Sequence, residues 1–402
     1  MRFDRRHPPA VLLKYYLYQA TTTFGFVTPV FTLFLLWRDL TYTQIGTLGS
    51  VSAVLVVVGE IPTGYVGDRF GRRASLLVGS VFLAISLLGF LVAQSFSAFV
   101  ALYVLWALGL AFQSGSDDAW LYEVLDARLD ANQFTHVRGR GASVNQWAGV
   151  ATMLVSGVLY DSDPRLPFLV AAALLGCSLL VLLSMPATIS QTDREENTLF
   201  DVLPVLRRRL TVPPLRSTIV YLALFFGVTS AANTYVQPIV TGTIGIPETS
   251  LGPLYAGFTV LTATASYYAG AIEARLSTKW TLVLVPVVVS VFLLGSVLVP
   301  VVALPTFALL KAARSTVSPI ASGYVNDHAD AVGRATLLSA ASMAYALVRV
   351  PLKPLTGVVA DATTPLTALA CLGGLFLVCA AVVWLWETPV SDSTPQPDGA
   401  TE

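Results

Sequence analysis

The sequence predicts an all-helical membrane protein, in which about twelve transmembrane helices form two pseudo-symmetric bundles of six. Its composition is the first observation: of 402 residues, 55% are hydrophobic and 12% are charged, whereas soluble domains carry about 25% charged residues. The second is that the apolar residues fall into segments of roughly 20 residues, long enough to cross a bilayer. The third is that short sequences recur at corresponding places in the two halves of the chain.

The apolar segments follow one another with short connections. The basic segment Met1–Pro9 precedes an apolar run from Val11 to about Trp37, which is too long for the core of a signal peptide and predicts an uncleaved first span. Connections as short as 94–97 and 361–365 predict that successive helices are antiparallel neighbours. The segments begin near residues 11, 43, 74, 97, 143, 166, 216, 250, 279, 302, 335 and 364.

Residues 187–214 separate the two halves. They begin as a polar stretch and continue as the amphipathic run 199–210, which ends in an arginine cluster. This run is either an interfacial helix on anionic headgroups or a flexible tether. The predicted division is an N-terminal bundle (1–186), a cytosolic linker (187–214), a C-terminal bundle (215–388) and a disordered tail rich in Ser, Pro, Asp and Thr (389–402).

The positions of the basic residues predict the orientation in the membrane. Nearly all Lys and Arg outside the apolar segments lie on the side that also holds both ends of the chain, and Arg38 and Arg165 are the exceptions. Since loops rich in Lys and Arg stay in the cytosol, we expect both termini to be cytoplasmic. The predicted location is the cell membrane, crossed several times.

Two pairs of similar sequences relate the halves. Residues 156–161 end the fifth segment as Ser-Gly-Val-Leu-Tyr-Asp, and residues 356–361 end the eleventh as Thr-Gly-Val-Val-Ala-Asp. Residues 118–123 follow the fourth segment, and the similar residues 321–327 follow the tenth. Both pairs match a segment with the one six places later, which supports a duplicated six-helix unit and transport by alternating access.

Charged side chains inside the apolar segments are few, and they are candidates for the transport pathway. A charge at the centre of a bilayer costs about 3 kcal/mol or more, so it usually faces a cavity or a partner. Two pairs of cations lie in the tenth and eleventh segments, spaced so that each pair shares a helix face. The predicted cavity residues are Glu60, Gln113, Asp117, Asp118, Asn233, Gln237, Lys311, Arg314, Arg349 and Lys353.

Three interpretations of these charges stay open. The cations of the second half and the acids of the first half form ion pairs between the bundles, or the cations bind an anionic substrate, or the acids carry protons. The first two are compatible, because an ion pair that breaks on opening is one way to gate a transporter.

The run Gly64–Arg73 concentrates charge between the second and third segments and predicts a tight cytosolic loop. Together with the preceding Glu60-Ile61-Pro62-Thr63, it resembles the G-x-x-x-D-R-x-G-R-R signature of the major facilitator superfamily (MFS) of transporters. The resemblance implies the MFS fold and a cytosolic gate, in which the signature contacts the start of the eleventh helix. Residues 270–275 form only a remnant of the signature in the second half. The implied gate residues are Gly64, Gly67, Asp68, Arg69, Gly71, Arg72, Arg73 and Arg334.

The resemblance also implies the function. The region from Glu60 to Arg73 is similar to the drug-efflux branches of the family, so the leading hypothesis is a secondary transporter of a small organic or drug-like solute, coupled to an ion such as the proton, with export favoured over import. The alternative is an importer or antiporter of an organic anion that uses the four cations. A hypothesis from another class is a polytopic membrane sensor or receptor that transports nothing.

Several other functions have no support in the sequence. We find no nucleotide-binding loop and no catalytic nucleophile with a base, which argues against an enzyme. The three cysteines lie in apolar runs and lack metal-site spacing, so we expect no cofactor and no metal. A formal net charge of zero gives no reason to expect nucleic acid as a partner. The expected partners are a small-molecule substrate, a coupling ion and the lipid bilayer, and the protein is expected to act as a monomer.

Overall fold

The fold is helical throughout the part of the chain that the structure describes. A computed structural model describes residues 9–187, 215–328 and 334–390, and no β-strand occurs among them. The first half forms α1 (Ala10–Thr21), α2 (Phe31–Trp37), α3 (Tyr42–Phe70), α4 (Arg72–Phe90), α5 (Phe96–Gln113), α6 (Ser116–Arg128), α7 (Phe134–Ser162) and α8 (Leu166–Ser184). The second half forms α9 (Leu215–Ala232), α10 (Leu251–Tyr267), α11 (Ala269–Gly295), α12 (Ala303–Asp327), α13 (Arg334–Ala362) and α14 (Pro365–Trp386).

Most predicted segments begin at or next to a helix start. The segment predicted from residue 143 begins earlier, at Phe134, because its first turns are polar but still helical, whereas the segment predicted from residue 279 follows an interruption of α11 at Ser277. Seven helical stretches in the described ranges are long and apolar enough to cross a membrane. The arrangement is consistent with the predicted total of about twelve spans.

Two of the predicted spans are not continuous helices. The first is divided into α1 and α2, and Gly25 in the connection packs against α7, where an added Cβ would lie 2.4 Å from the carbonyl oxygen of Gly149. The seventh changes after α9 to a 3-10 turn at Asn233–Tyr235 and then to a π-helix at Ile239–Thr243. Pro238 explains the change of hydrogen bonding, because proline donates no N–H to a helix.

The chain divides into two compact units. Unit 1 contains residues 1–40, 51–196 and 246–256, and unit 2 contains residues 41–50, 197–245 and 257–402. The start of α3 thus belongs with the second half, and the start of α10 with the first. The predicted linker, tail and domain boundaries stay predictions, because 188–214 and 391–402 lie outside the described residues.

The core of unit 1 is rich in aromatic side chains. Trp120 is buried and stacks on Tyr15 with ring centroids 6.2 Å apart, while its indole N–H donates to the carbonyl of Pro186. A second group joins α2, α4 and α8 through Phe34, Phe90 and Phe168. Such side chains bury large apolar areas, which holds the helices in register.

The core of unit 2 is built around α9. This helix packs against α12, α13 and α14, and most of its residues are buried. The hydroxyl of Tyr221 donates to the carbonyl of Val283 at 2.9 Å, and Phe225 packs on Phe376. A helix that is apolar on all sides is expected at the centre of a bundle.

The signature run is not the loop that the sequence predicts. The helix α3 continues through Phe70, and α4 begins at Arg72, so the turn is confined to Gly71. Gly71 has φ 91° and ψ 146°, a backbone region that essentially only glycine adopts without strain. The glycine therefore lets two helices meet without a connecting loop, which corrects the predicted loop.

The second half has the same turn without its glycine. When Gly270 is aligned with Gly64, Ser277 takes the place of Gly71. Ser277 has φ 64° and ψ 158° and interrupts α11 at that point. The remnant signature in the second half thus keeps the backbone turn seen at Gly71. It makes that turn with serine, whose side chain disfavours a positive φ.

We expect Ser277→Gly to stabilise the protein by about 1 kcal/mol, since it removes backbone strain of about 1–3 kcal/mol and adds a smaller entropic cost. Gly71→Ala should be destabilising by a similar amount, because it introduces the same strain. Thermal unfolding of the purified variants measures both. A lower unfolding temperature for Ser277→Gly would show that the serine is not strained.

Candidate substrate site

The described contacts of the signature arginines lie within unit 1. The Nε and Nη2 atoms of Arg73 donate to the carbonyl oxygens of Leu182 and Leu183, at 2.8 and 2.5 Å. These carbonyls lie at the end of α8, where a helix favours a positive charge. Arg72 pairs with Glu123 at 3.7 Å, and Arg69 lies exposed beside the ring of Phe70.

The rest of the predicted gate is not tested. The side chains of Glu60, Asp68 and Arg334 and the whole of Gly333 lie outside the described residues. The backbone of Gly64 is helical, and Gly67 is buried close to α4, since an added Cβ would lie 3.0 Å from Arg72 Nη1. The gate therefore stays a proposal based on the signature.

The acids of the fourth span lie at the start of a helix. Gly115, with φ 71°, separates α5 from α6 and places Asp117 and Asp118 in the first turn of α6, where a helix favours negative charge. Asp118 accepts a hydrogen bond from Arg138 Nε at 2.6 Å, and both side chains are exposed. Sequence reasoning missed Arg138, since it is distant along the chain. Gln113 donates to Ser80 Oγ at 3.1 Å.

The four cations of α12 and α13 all lie in unit 2. Lys311 Nζ donates to Asn233 Oδ1 at 2.8 Å and lies 5.5 Å from the centre of the Phe258 ring. The break in the seventh span at Asn233 thus supplies a polar partner for Lys311. Gln237 is buried in the following turn, where its backbone carbonyl accepts a hydrogen bond from Thr241 Oγ1.

The two arginines have few polar partners. Arg314 is exposed, donates to Thr229 Oγ1 at 3.3 Å and has its guanidinium 5.3 Å from the centre of the Phe226 ring. Arg349 Nε is buried without a hydrogen-bond partner among the described residues. A buried donor without a partner costs about 1–3 kcal/mol, so Arg349 is poised to bind an acceptor.

Lys353 fits against the start of α3 because that helix has glycines there. An added Cβ on Gly49 would lie 3.0 Å from Lys353 Nζ, and one on Gly46 would lie 2.4 Å from the Lys353 carbonyl oxygen. Nearby, Ser50 Oγ donates to the carbonyl of Val350 at 2.5 Å. The start of α3 therefore forms one wall beside Lys353.

Burial and mutual repulsion both oppose the positive charges of this site. The charge of Lys311 is repelled by Arg314, that of Arg314 by Arg349, and that of Lys353 by both arginines. Among the residues whose side chains are described, no carboxylate forms an ion pair with Arg314, Arg349 or Lys353. We call these three residues and Lys311 the cation row.

Asp361 ties α13 to the first turn of α3. Its carboxylate accepts hydrogen bonds from the backbone N–H groups of Tyr42 and Thr43, at 2.8 and 2.9 Å, and from Thr43 Oγ1 at 2.6 Å. These bonds satisfy N–H groups that have no partner inside the helix. The sequence repeat drew attention to Asp361, but it did not reveal this role.

The corresponding place in unit 1 has a different chemistry. Gly157 contacts the turn before α10, where an added Cβ would lie 2.4 Å from the carbonyl oxygen of Glu248. Burial, together with the negative charge of Asp161, raises the pKa of Glu248. The two repeats therefore share the close helix contact, and within the described residues the second adds a carboxylate that caps a helix.

Comparisons with known proteins agree with this architecture. The chain is 24% identical over 385 residues to the uncharacterized MFS-type transporter YxaM of Bacillus subtilis (strain 168), which covers 92% of this chain and 93% of that protein. The fold of this chain is similar to that of the nucleoside transporter NupG, with a TM-score of 0.77, 12% identity and coverage of 94% of this chain and 98% of NupG.

A D-xylose–proton symporter is also similar in fold, with a TM-score of 0.65, 17% identity and coverage of 94% and 96% of the two chains. The sequence profile of the Major Facilitator Superfamily matches residues 17–352. The protein is a membrane transporter rather than an enzyme. With the family's profile over most of its length and the family's fold, the chain belongs to the major facilitator superfamily.

Proposed function

We propose that the protein transports a small organic anion by alternating access and that the cation row binds the anion. The observation that supports this is the row itself, in which three cations have no carboxylate partner among the described side chains. The predicted drug-like solute has no comparable support from the described contacts. An organic anion is therefore our first choice of substrate, while export is kept from the leading hypothesis.

The uncompensated positive charge of the site favours an anionic substrate. Several positive charges within a membrane protein are costly unless a counter-charge or water compensates them. Arg314 is exposed and Arg349 has a buried N–H without a described partner, so an entering carboxylate would gain charge-assisted hydrogen bonds. A neutral solute would leave the repulsion in place.

Proton coupling and export are finer parts of the same proposal. Glu60, Asp117 and Asp118 are the proposed proton carriers, and Asp68 with Arg69, Arg72 and Arg73 forms the proposed cytosolic gate that alternating access requires. Export rests on the similarity of residues 60–73 to efflux branches. The solved structures of similar fold include proteins that are named a nucleoside transporter and a D-xylose–proton symporter, which supports transport and proton coupling in general.

Ligand-induced thermal stabilisation of the purified protein tests the proposal. Benzoate, benzamide and benzylamine have the same ring and differ in charge, and glutarate adds a flexible anion. We expect only the anions to stabilise the protein, by up to about 2.7 kcal/mol at a concentration of a hundred times Kd. Stabilisation by benzamide or benzylamine equal to that by benzoate would contradict the anion site.

Transport itself is measured in proteoliposomes. We expect a labelled anion that binds in the first assay to cross the membrane, faster when a proton gradient is imposed. Reversing the gradient distinguishes export from import. Protein with Arg140→Gln serves as the control, because Arg140 is an exposed arginine on α7 in unit 1, whereas the cation row belongs to unit 2. An anion that binds but is never transported would favour the sensor hypothesis.

A further inference from the structure

Two arginines lie on the side of the membrane that the sequence predicts to be extracellular, where basic residues are otherwise avoided. Arg38 follows the first span and Arg165 lies between the fifth and the sixth, and both are exceptions to the predicted orientation. The structure brings them together within unit 1. The Cζ atom of Arg38 lies 4.7 Å from the centre of the Trp37 ring, and that of Arg165 lies 5.5 Å from it. We call these three residues the arginine–tryptophan cluster.

Contacts with the protein hold Arg38 in a fixed position. Its Nη2 atom donates to the carbonyl oxygens of Phe90 and Leu91, at 3.3 and 2.6 Å. These carbonyls lie at the end of α4, where a helix favours a positive charge. The Nε atom is buried without a partner, whereas Nη1 is accessible and has no hydrogen bond to a described residue. Arg38 therefore keeps N–H donors that a ligand can reach.

Arg165 is the more exposed of the two arginines. It directly precedes α8, and its guanidinium makes no hydrogen bond to a described residue. Burial, followed by the charge of Arg165, lowers the pKa of Arg38, and the charge of Asp163 opposes this shift. The Asp163 carboxylate accepts a hydrogen bond from the backbone N–H of Arg165 at 2.8 Å. No carboxylate among the described side chains lies within ion-pair distance of either guanidinium.

The surroundings of the cluster are apolar and exposed. Trp37 ends α2 and is 42% exposed, as is typical of tryptophan at the headgroup level of a bilayer. Val92, next to Leu91, is 76% exposed, and Leu169, one turn into α8 from Arg165, is 47% exposed. In a membrane protein such side chains face the acyl chains of lipids. This pattern indicates that the two guanidinium groups lie at the depth of the lipid phosphates.

We propose that the arginine–tryptophan cluster binds the phosphate of a phospholipid headgroup in the leaflet on this side of the membrane. Arginine donors fit phosphate oxygens in pairs, and Trp37 offers an apolar surface to the rest of the lipid. A phosphate compound without acyl chains would share the charge contacts, but it would not use the exposed apolar side chains around them. The cluster belongs to unit 1 and the cation row to unit 2, so lipid binding is independent of the proposed anion transport.

Equilibrium binding to the purified full chain in detergent tests this site. Three probes separate the parts of the ligand: a phosphatidic acid, the diacylglycerol with the same acyl chains, and glycerol 3-phosphate. The second lacks the phosphate, and the third lacks the acyl chains. We expect the phosphatidic acid to bind about tenfold or more tightly than either of the others. Native mass spectrometry over a range of lipid concentrations counts the bound molecules and gives the affinity.

Variants show whether the cluster is responsible. Arg165→Gln removes a guanidinium without a described hydrogen bond, so it should leave the unfolding temperature without lipid unchanged and lower the affinity for phosphatidic acid about tenfold. Arg38→Gln should weaken binding as well, and Arg38→Lys, which keeps the charge but loses the planar fork, should have an intermediate effect. Arg140→Gln is the matched control, because it also removes an exposed arginine of unit 1. It should bind phosphatidic acid as the parent protein does.

Three results would contradict the lipid site. If the diacylglycerol binds as tightly as the phosphatidic acid, the phosphate is not recognised. If glycerol 3-phosphate binds as tightly as the phosphatidic acid and Arg165→Gln weakens both, the cluster is a site for a soluble anion. If Arg165→Gln binds phosphatidic acid as well as Arg140→Gln does, the lipid is bound elsewhere. The proposed anion transport stands or fails separately, on the binding of benzoate and its neutral and cationic analogues.

Discussion

Arg349→Gln is expected to lower the kcat/KM of anion transport by about a hundredfold or more. Arg349 belongs to the cation row and has a buried Nε without a described partner. Loss of one partner from a buried charge pair costs about 3–5 kcal/mol, and each 1.4 kcal/mol is a factor of ten. Initial rates of anion uptake into proteoliposomes, measured over a range of anion concentrations, provide kcat/KM.

The stability of the same variant distinguishes a binding residue from a structural one. Without ligand, Arg349→Gln should unfold at the same temperature as the parent protein or at a higher one, because it removes repulsion between cations. An arginine in a structural ion pair would instead leave a carboxylate unpaired and lower the unfolding temperature. This result would favour the ion-pair interpretation and contradict ours.

Two further variants complete the comparison. Arg349→Lys keeps the charge but loses the planar fork, so we expect transport between that of the parent and that of Arg349→Gln. Arg140→Gln removes an exposed arginine elsewhere and should transport normally. Full transport by Arg349→Gln would remove the arginine from the site.

Gly157→Ala and Gly357→Ala are each expected to destabilise the protein by about 2 kcal/mol. An added Cβ would lie 2.4 Å from the carbonyl oxygen of Glu248 in the first variant and 2.5 Å from that of Tyr42 in the second. Both contacts are with backbone atoms, which cannot move aside as a flexible side chain does. The helices must therefore separate, which weakens the contacts of α7 with the start of α10 and of α13 with the start of α3.

Gly176→Ala is the matched control. Gly176 also lies in a helix, α8, but an added Cβ there would meet nothing within 4 Å. We expect no loss of stability and a gain of up to about 1 kcal/mol, because alanine is the better helix former. Unfolding temperatures of all three variants are compared in one detergent. Equal effects of the three substitutions would show that helix propensity, and not close packing, determines the result.

Much of the fold was predictable from the sequence because apolar length is a local property. The predicted starts near 166, 216 and 335 agree with helices that begin at Leu166, Leu215 and Arg334. The start predicted near residue 143 was several residues too late. The first turns of α7 are polar, and a search for apolar residues does not detect them. The predicted loop at Gly64–Arg73 was wrong for a related reason: charged residues are helical up to Phe70, and one glycine makes the turn.

The candidate site was predictable in part. A cation in an apolar segment is conspicuous, so all four members of the cation row were recognised from the sequence. Their partners were not, because Asn233, Thr229 and Phe258 come from other helices. The contact of Asp118 with Arg138 and the capping of α3 by Asp361 were missed for the same reason.

The sequence by itself determined the family, the helical membrane fold, the position of the signature and the four cations, because each depends on residues close together in the chain. Tertiary structure alone decided that Arg314, Arg349 and Lys353 have no carboxylate partner among the described side chains and that glycines bring the repeated helix ends into backbone contact. These properties depend on distances between helices, and hydropathy along a chain carries no information about which helices meet.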